Sequence, residues 1–133
     1  MEDISSKEIF EAIRDSLAEI LDIEPLEIQP ESYVVRDLGT ESIDLLELSV
    51  ALDSRFKVEI DDNEIYLKTL RLHLNEAEEK REPTADYLAL KFPSLKKDRI
   101  AEILSDLEGG PVLKVKDLTG YIGLQLGLNG SGN

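Results

Sequence analysis

Few residues of this chain can do chemistry, and they narrow to one serine. The sequence has no cysteine and a single histidine, His73, which excludes disulfides, thiolate metal sites, a cysteine nucleophile and a metal shared by two histidines. What remains is the serine of a turn, Asp37-Leu38-Gly39-Thr40-Glu41-Ser42-Ile43-Asp44. Gly39 permits a backbone conformation that a β-carbon resists, and the helix-like run from Ile43 to Leu48 follows closely, so turn and helix start adjoin. A hydroxyl placed there points outward. The first N–H groups of such a helix lack intrahelical partners and carry the positive end of its dipole, surroundings that suit an attached phosphate. Two other uses compete. Serine at a helix start commonly caps the same free N–H groups. A hydrolase nucleophile needs Gly-x-Ser-x-Gly, but Ile43 and Asp44 follow Ser42, and His73 stands in an unrelated stretch. Ser42 therefore reads as a cap or as a residue on which another enzyme acts.

The elements that must position it are helical. Ser5 and Glu8 form a capping box that opens a first helix, whose stripe is Ile9, Phe10, Ile13, Leu17, Ile20 and Leu21. Pro25 is expected to close this region, and a long loop from Glu24 to Val35 to be pinned on the bundle by Leu26, Ile28, Tyr33 and Val34. A second helix spans 42–56, with Leu46, Leu52 and Phe56 inward. Ile43, Leu45 and Val50 cannot all be buried beside them, so some share an outer face with Asp44, Glu47 and Asp53. Asp61 and Asp62 read as a helix start rather than a calcium loop, since the alternating ligands and the glycine are missing.

The run Asp37-Leu-Gly-Thr-Glu-Ser-Ile-Asp-Leu-Leu-Glu-Leu, continuing through Leu52, Phe56 and Val58-Glu59-Ile60-Asp61-Asp62, resembles the acyl carrier protein signature, with Glu41 where Asp is usual and Ile43 where Leu is usual. The resemblance implies an all-α, antiparallel helical bundle and a 4′-phosphopantetheine attached to Ser42. It also implies that the second helix is the recognition helix, which makes Glu41, Ile43, Asp44, Glu47, Val50 and Asp53 the expected partner-binding residues. A phosphopantetheinyl transferase and acyl-loading and acyl-modifying enzymes are the implied partners. The chain itself is expected to be a carrier and no enzyme. Peptidyl carriers usually show Gly-Gly-x-Ser-Leu, so a fatty-acyl, specialised lipid or polyketide carrier fits better than an aminoacyl or peptidyl one; an acidic helical adaptor without a prosthetic group is the reading from another class.

The chain departs from the family after the third helix. The pattern of the last helix appears only at Val115-Lys116-Asp117-Leu118-Thr119-Gly120-Tyr121-Ile122, so 67–113 reads as an insertion within a single domain over 1–126, followed by a disordered tail over 127–133. Within it, Leu67, Leu70, Leu74 and Ala77 have helical spacing up to Pro83, against a weaker strand signal in Leu70-Arg71-Leu72-His73-Leu74. A short helix from Thr84 should break before Pro93. Ser94 is expected to cap a further helix with Leu95, Ile100, Ile103, Leu104 and Leu107 as its apolar positions. The insertion should pack on the bundle, within reach of a docking enzyme or of the arm, without a part in modifying Ser42.

Composition agrees with a carrier. At 133 residues, 41% hydrophobic and 33% charged, the chain suits one ordered helical domain. Its 29 acidic against 15 basic residues give a net charge of −14, which argues against nucleic acid and for basic protein partners. No apolar run approaches the roughly 20 residues of a membrane span, and the acidic start Met1-Glu2-Asp3 is unlike a secretory signal. A cytoplasmic monomer is expected.

Overall fold

The computed structural model describes residues 4–127. Among them run α1 (Ser6–Leu21), α2 (Ser42–Phe56), α3 (Asp62–Ile65), α4 (Leu70–Lys80), α5 (Thr84–Lys91), α6 (Lys97–Leu104) and α7 (Val115–Gln125), with 3₁₀ turns at Pro25–Glu27 and Leu107–Gly109. The described residues form no strand, and the bridge between Tyr33 and Lys114 is isolated and antiparallel. The all-α expectation holds. Of the expected disordered tail, only Gly127 falls within the described residues.

α1 starts as its capping box requires: the Glu8 N–H donates to Ser5 Oγ at 3.1 Å and the Ser5 N–H to Glu8 Oε1 at 2.8 Å. Its Ile9, Ile13 and Leu17 are completely buried. The helix does not run on to Pro25, however. It ends at Leu21, where Asp22 turns left-handed with φ 58° and sends its N–H to the Ala18 carbonyl. Lys57 (φ 57°) and Arg81 (φ 56°) end α2 and α4 in the same way. Such caps use no glycine or proline and cost about 1 kcal/mol each, so they are silent in a reading that looks for helix breakers.

One expected core residue, Leu46, and one residue expected to pin the loop, Leu26, lie outside. Leu46 is 52% exposed, and Leu48, Leu52 and Phe56 form the inner face of α2 with Leu45 half-buried beside them. Apolar residues occur on more than one face of this helix, and the three-and-four spacing 45, 48, 52, 56 is the one that meets α1. Leu26 is 84% exposed because it belongs to the 3₁₀ turn, none of whose residues is buried; Ile28 and Val34 pin the loop instead, with Tyr33 half-buried.

The stretch before α7 holds three helices, α4 against α5 and α5 against α6. Leu88, Phe92, Leu95, Ile100 and Ile103 belong to the same contiguous core as the buried residues of α1, α2 and α7. Ser94 does not cap α6, which begins at Lys97 after Lys96 with no side-chain cap. Ser94 sits instead in the turn closed by the Leu95 N–H on the Phe92 carbonyl, and its own carbonyl abuts α7, 3.3 Å from where a β-carbon on Gly120 would lie.

Charge fastens α6 to α7. The Arg99 guanidinium donates to both oxygens of Asp117 at 2.7 and 2.9 Å and to the Val112 carbonyl at 2.6 Å; both side chains are buried. Asp117 also accepts the Lys114 N–H at 2.9 Å. Outside this pair, Glu31 bridges Lys114 and Lys116, each at 2.8 Å. Hydrogen bonds from Lys114, then Lys116, lower the Glu31 carboxyl from 4.5 to about 2. A carboxyl depressed on folding adds stability above its unfolded value, and that stability fades as pH falls from 4.5 through 2. The side chain is exposed, so Glu31→Gln should cost no more than about 1 kcal/mol at neutral pH. In a carbon NMR titration, the Glu31 carboxyl should still be ionised where ordinary glutamates are half-protonated; a midpoint near 4.5 would show that the bridges do not form.

Candidate functional site

The turn before α2 is built by short backbone bonds. The Asp37 and Leu38 N–H groups both point to the Tyr33 carbonyl, the Gly39 N–H donates to Val35 at 2.9 Å, and the Thr40 N–H to Val34 at 3.2 Å. The Asp37 carboxylate accepts the Tyr33 N–H at 2.8 Å and closes the turn from the other side. Gly39 has φ 68°, and a β-carbon there would meet nothing within 4 Å. Its requirement is conformational, not steric. Val34 and Thr40 are buried and anchor the two ends of the turn.

Ser42 is the first residue of α2 and is exposed. The capping alternative is settled by its neighbour: Asp44 Oδ2 accepts the Glu41 N–H at 2.9 Å. Glu41 occupies the cap position, and the Ser42 hydroxyl has no hydrogen-bond partner among the described residues. Asp44 is thus half-buried and engaged in the local start of the helix, a role legible in the spacing of an acid three residues after the cap.

Ile43 (59% exposed), Leu46, Glu47 and Val50 (71% exposed) stand at i, i+3, i+4 and i+7 and form one outward stripe that Asp53 continues. The apolar and acidic residues expected on an outer face therefore share it. Leu46 joins the stripe where the sequence reading had put it in the core.

The opposite side of α2 is held by α3. Tyr66 donates its hydroxyl to the Leu45 carbonyl at 2.9 Å and lies 2.8 Å from Ser49 Oγ, which in turn meets Asp62 Oδ1 at 2.8 Å. Burial, partly offset by the Ser49 bond, pushes the Tyr66 phenol up to about 12. Asp61 caps α3 as expected, accepting from Asn63 and Glu64. Beside these residues lies a cleft of about 440 Å³ walled by Val35, Leu45, Tyr66, Leu70, Val112 and Leu113 among others. Leu45 is one helical turn from Ser42.

His73 takes no part. It lies on α4, 2.8 Å from Glu76 and edge-on to Phe92 with ring centroids 5.5 Å apart. No group of acids and histidines able to hold a metal occurs among the described residues. No described helix is long and apolar enough to cross a membrane.

A helical bundle that presents an unpartnered serine hydroxyl at a helix start has the form of a prosthetic-group carrier. In agreement, the family model described as a phosphopantetheine attachment site matches residues 11–72. The chain is 43% identical over 56 residues to the acyl carrier protein of Campylobacter concisus, covering 42% of this chain and 73% of that protein. It is also 43% identical over 56 residues to that of Wolinella succinogenes (42% and 74% covered) and 41% over 56 residues to that of a Helicobacter pylori strain (42% and 72%). The chain belongs to the acyl carrier protein family, and its cofactor is a covalently attached 4′-phosphopantetheine.

The site suits that group by reach and by bonding. The hydroxyl is exposed and unclaimed, while the first-turn N–H groups of α2 favour a phosphodiester. Glu41 and Asp44 oppose it, and in so acidic a protein the covalent bond, more than attraction, must retain the group.

Proposed function

We propose that Ser42 is the residue that carries the 4′-phosphopantetheine arm, and that the protein holds acyl intermediates as thioesters on it. The observation that supports this most is the hydroxyl left unpartnered at the first position of α2 because Asp44 serves the cap. When bound, the arm supplies a thiol that this cysteine-free chain lacks, so acyl groups cannot be misdirected to a protein sulfur. Among the described residues no histidine stands beside Ser42, since His73 is bonded to Glu76 on α4, and the Asp44 carboxylate is engaged by the Glu41 N–H. A phosphopantetheinyl transferase must take the serine proton as the serine oxygen attacks the phosphorus of coenzyme A that bears the pantetheine, the pyrophosphate bond breaking and adenosine 3′,5′-bisphosphate leaving. The protein is then a shuttle and no catalyst, working in the cytoplasm as a monomer in fatty-acid, specialised lipid or polyketide synthesis. The cleft beside Leu45 offers apolar walls to an acyl chain. Residues 1–126 act as one carrier domain in which 67–113 is an insertion.

Incubation with coenzyme A and a broad-specificity transferase tests the reading. The intact mass should rise by one arm; an unchanged mass with several such transferases would refute it.

The stripe on α2, Ile43, Leu46, Glu47, Val50 and Asp53, together with Glu41 and Asp44 at the helix start, is the proposed docking surface for acyl-loading and acyl-modifying enzymes with basic faces. Glu47→Lys and Asp53→Lys should slow loading by such an enzyme, most strongly at low salt, because exposed charges act through screened steering. Rates unchanged at every ionic strength would reduce the stripe to a solvated face.

A further inference from the structure

We infer that Asp106, within 67–113, is a positioning residue for transfer of the arm to Ser42, acting through Arg36 and Tyr33 on the turn that leads into α2. This rests on Ser42 as the attachment residue. Tyr33 and Arg36 flank the start of that turn, and both reach to one carboxylate: the Tyr33 hydroxyl donates to Asp106 Oδ2 at 2.6 Å and Arg36 Nη1 to Asp106 Oδ1 at 3.1 Å. Arg36 Nη2 adds bonds to the Asp106 and Gly110 carbonyls at 3.1 and 3.0 Å. The guanidinium lies over the Tyr33 ring, 4.0 Å from its centroid, which fixes its plane.

The clamp is closely fitted. A β-carbon on Gly109 would stand 2.9 Å from both Arg36 Nη1 and Asp106 Oδ1, so the 3₁₀ turn that follows Asp106 approaches as near as a glycine allows. Hydrogen bonds from Tyr33, then Arg36, hold the Asp106 carboxyl below its ordinary range, in keeping with a charged partner. A second tie runs beside it, from the Val34 N–H to the Leu113 carbonyl at 2.9 Å.

The turn from Tyr33 to Thr40 is otherwise held by its own backbone bonds, by the Asp37 carboxylate on the Tyr33 N–H, by the tie from Val34 to Leu113 and by two buried residues, Val34 and Thr40. Asp106 supplies the side-chain bonds that seize its outer limb. A transferase that grips this turn must find it in one shape. If loosening leaves only a fraction of molecules in that shape, apparent affinity falls by the same fraction while turnover at saturation is kept. The stretch that enlarges this carrier thus shares in presenting its serine, which its place in the sequence alone does not suggest.

Asp106→Ala, assayed as protein substrate of a phosphopantetheinyl transferase, should show a KM raised about tenfold with kcat within about twofold of wild type. Amide hydrogen exchange should quicken at Gly39 and Thr40 and stay unchanged at Leu48 and Leu52 in α2. Arg36→Ala combined with Asp106→Ala should raise KM by less than the product of the two single effects, because the two side chains share the Arg36–Asp106 contact. Should Asp106→Ala fail to fold, Asp106→Asn, which keeps the shape and one acceptor, should show a smaller rise in KM and in the same two exchange rates. Unchanged KM or unchanged exchange at Gly39 and Thr40 in a folded variant overturns the inference alone. A wild type that takes no arm on Ser42 overturns the attachment assignment as well.

Discussion

Ser42→Ala is expected to lose arm transfer completely while keeping the fold. Under the proposed assignment the loss is all-or-none, because the Ser42 oxygen would be the atom that forms the bond and alanine offers none. The fold should survive because the start of α2 does not depend on the serine. Asp44 satisfies the Glu41 N–H, Gly39 and Asp37 shape the turn, and Leu48, Leu52 and Phe56 bury the other face. Replacement of an exposed side chain without hydrogen bonds should change stability by no more than about 0.5 kcal/mol. Alanine is also a better helix former than serine. Denaturant unfolding and intact mass, measured on the same sample, separate the two effects. A variant that still gains one arm would remove Ser42 from the account, and one that fails to gain it only because it is unfolded would leave the serine unproven.

The largest effect on stability should come from Asp117→Ala. Removing this carboxylate leaves Arg99 charged, buried and deprived of its two shortest acidic contacts, and frees the Lys114 N–H at the start of α7. Breaking a buried ion pair by deleting one partner costs about 3–5 kcal/mol. The damage should spread toward the serine, since the Val34 N–H, the Val115 N–H and the Lys116 N–H join the loop before α2 to the lead-in of α7. Arg99→Met together with Asp117→Leu should recover part of the loss, because no charge is then stranded, though the Val112 carbonyl and the Lys114 N–H still lose their partners. The denaturant midpoint of each variant decides the matter. A loss below about 1 kcal/mol for Asp117→Ala would mean that Arg99 finds water or another acid, and that α6 is fastened by its apolar residues alone.

The parts of the fold that were legible in the sequence are those written in spacing. Ser5 with Glu8, the stripe of α1, the bounds of α2 and the cap at Asp61 each rest on residues within one or two helical turns. The Asp37–Asp44 run was legible for the same reason, since turn, serine and helix start are contiguous. Leu46 was misplaced because α2 carries apolar side chains on an exposed stripe as well as on its core face, and periodicity cannot say which face meets α1. Leu26 and Ser94 were misplaced by local rules, one that apolar loop residues are pinned and one that a serine before an apolar stripe caps it; tertiary context overrode both. The contacts of Asp106 with Tyr33 and Arg36, and of Arg99 with Asp117, span separations that no local pattern encodes. An acid and a base in a chain with 29 of one and 15 of the other have too many possible partners to be matched in advance.

The measurement that bears most directly on the account is localisation of the arm by tandem mass spectrometry on the full chain, purified from cells or loaded with coenzyme A and a transferase. The account predicts one 4′-phosphopantetheine per molecule, on the peptide that contains Asp37-Leu38-Gly39-Thr40-Glu41-Ser42, with fragment ions that place it on Ser42. An arm on any other serine, such as Ser49 or Ser54 of the same helix, or none under conditions that load another acyl carrier protein, would contradict it.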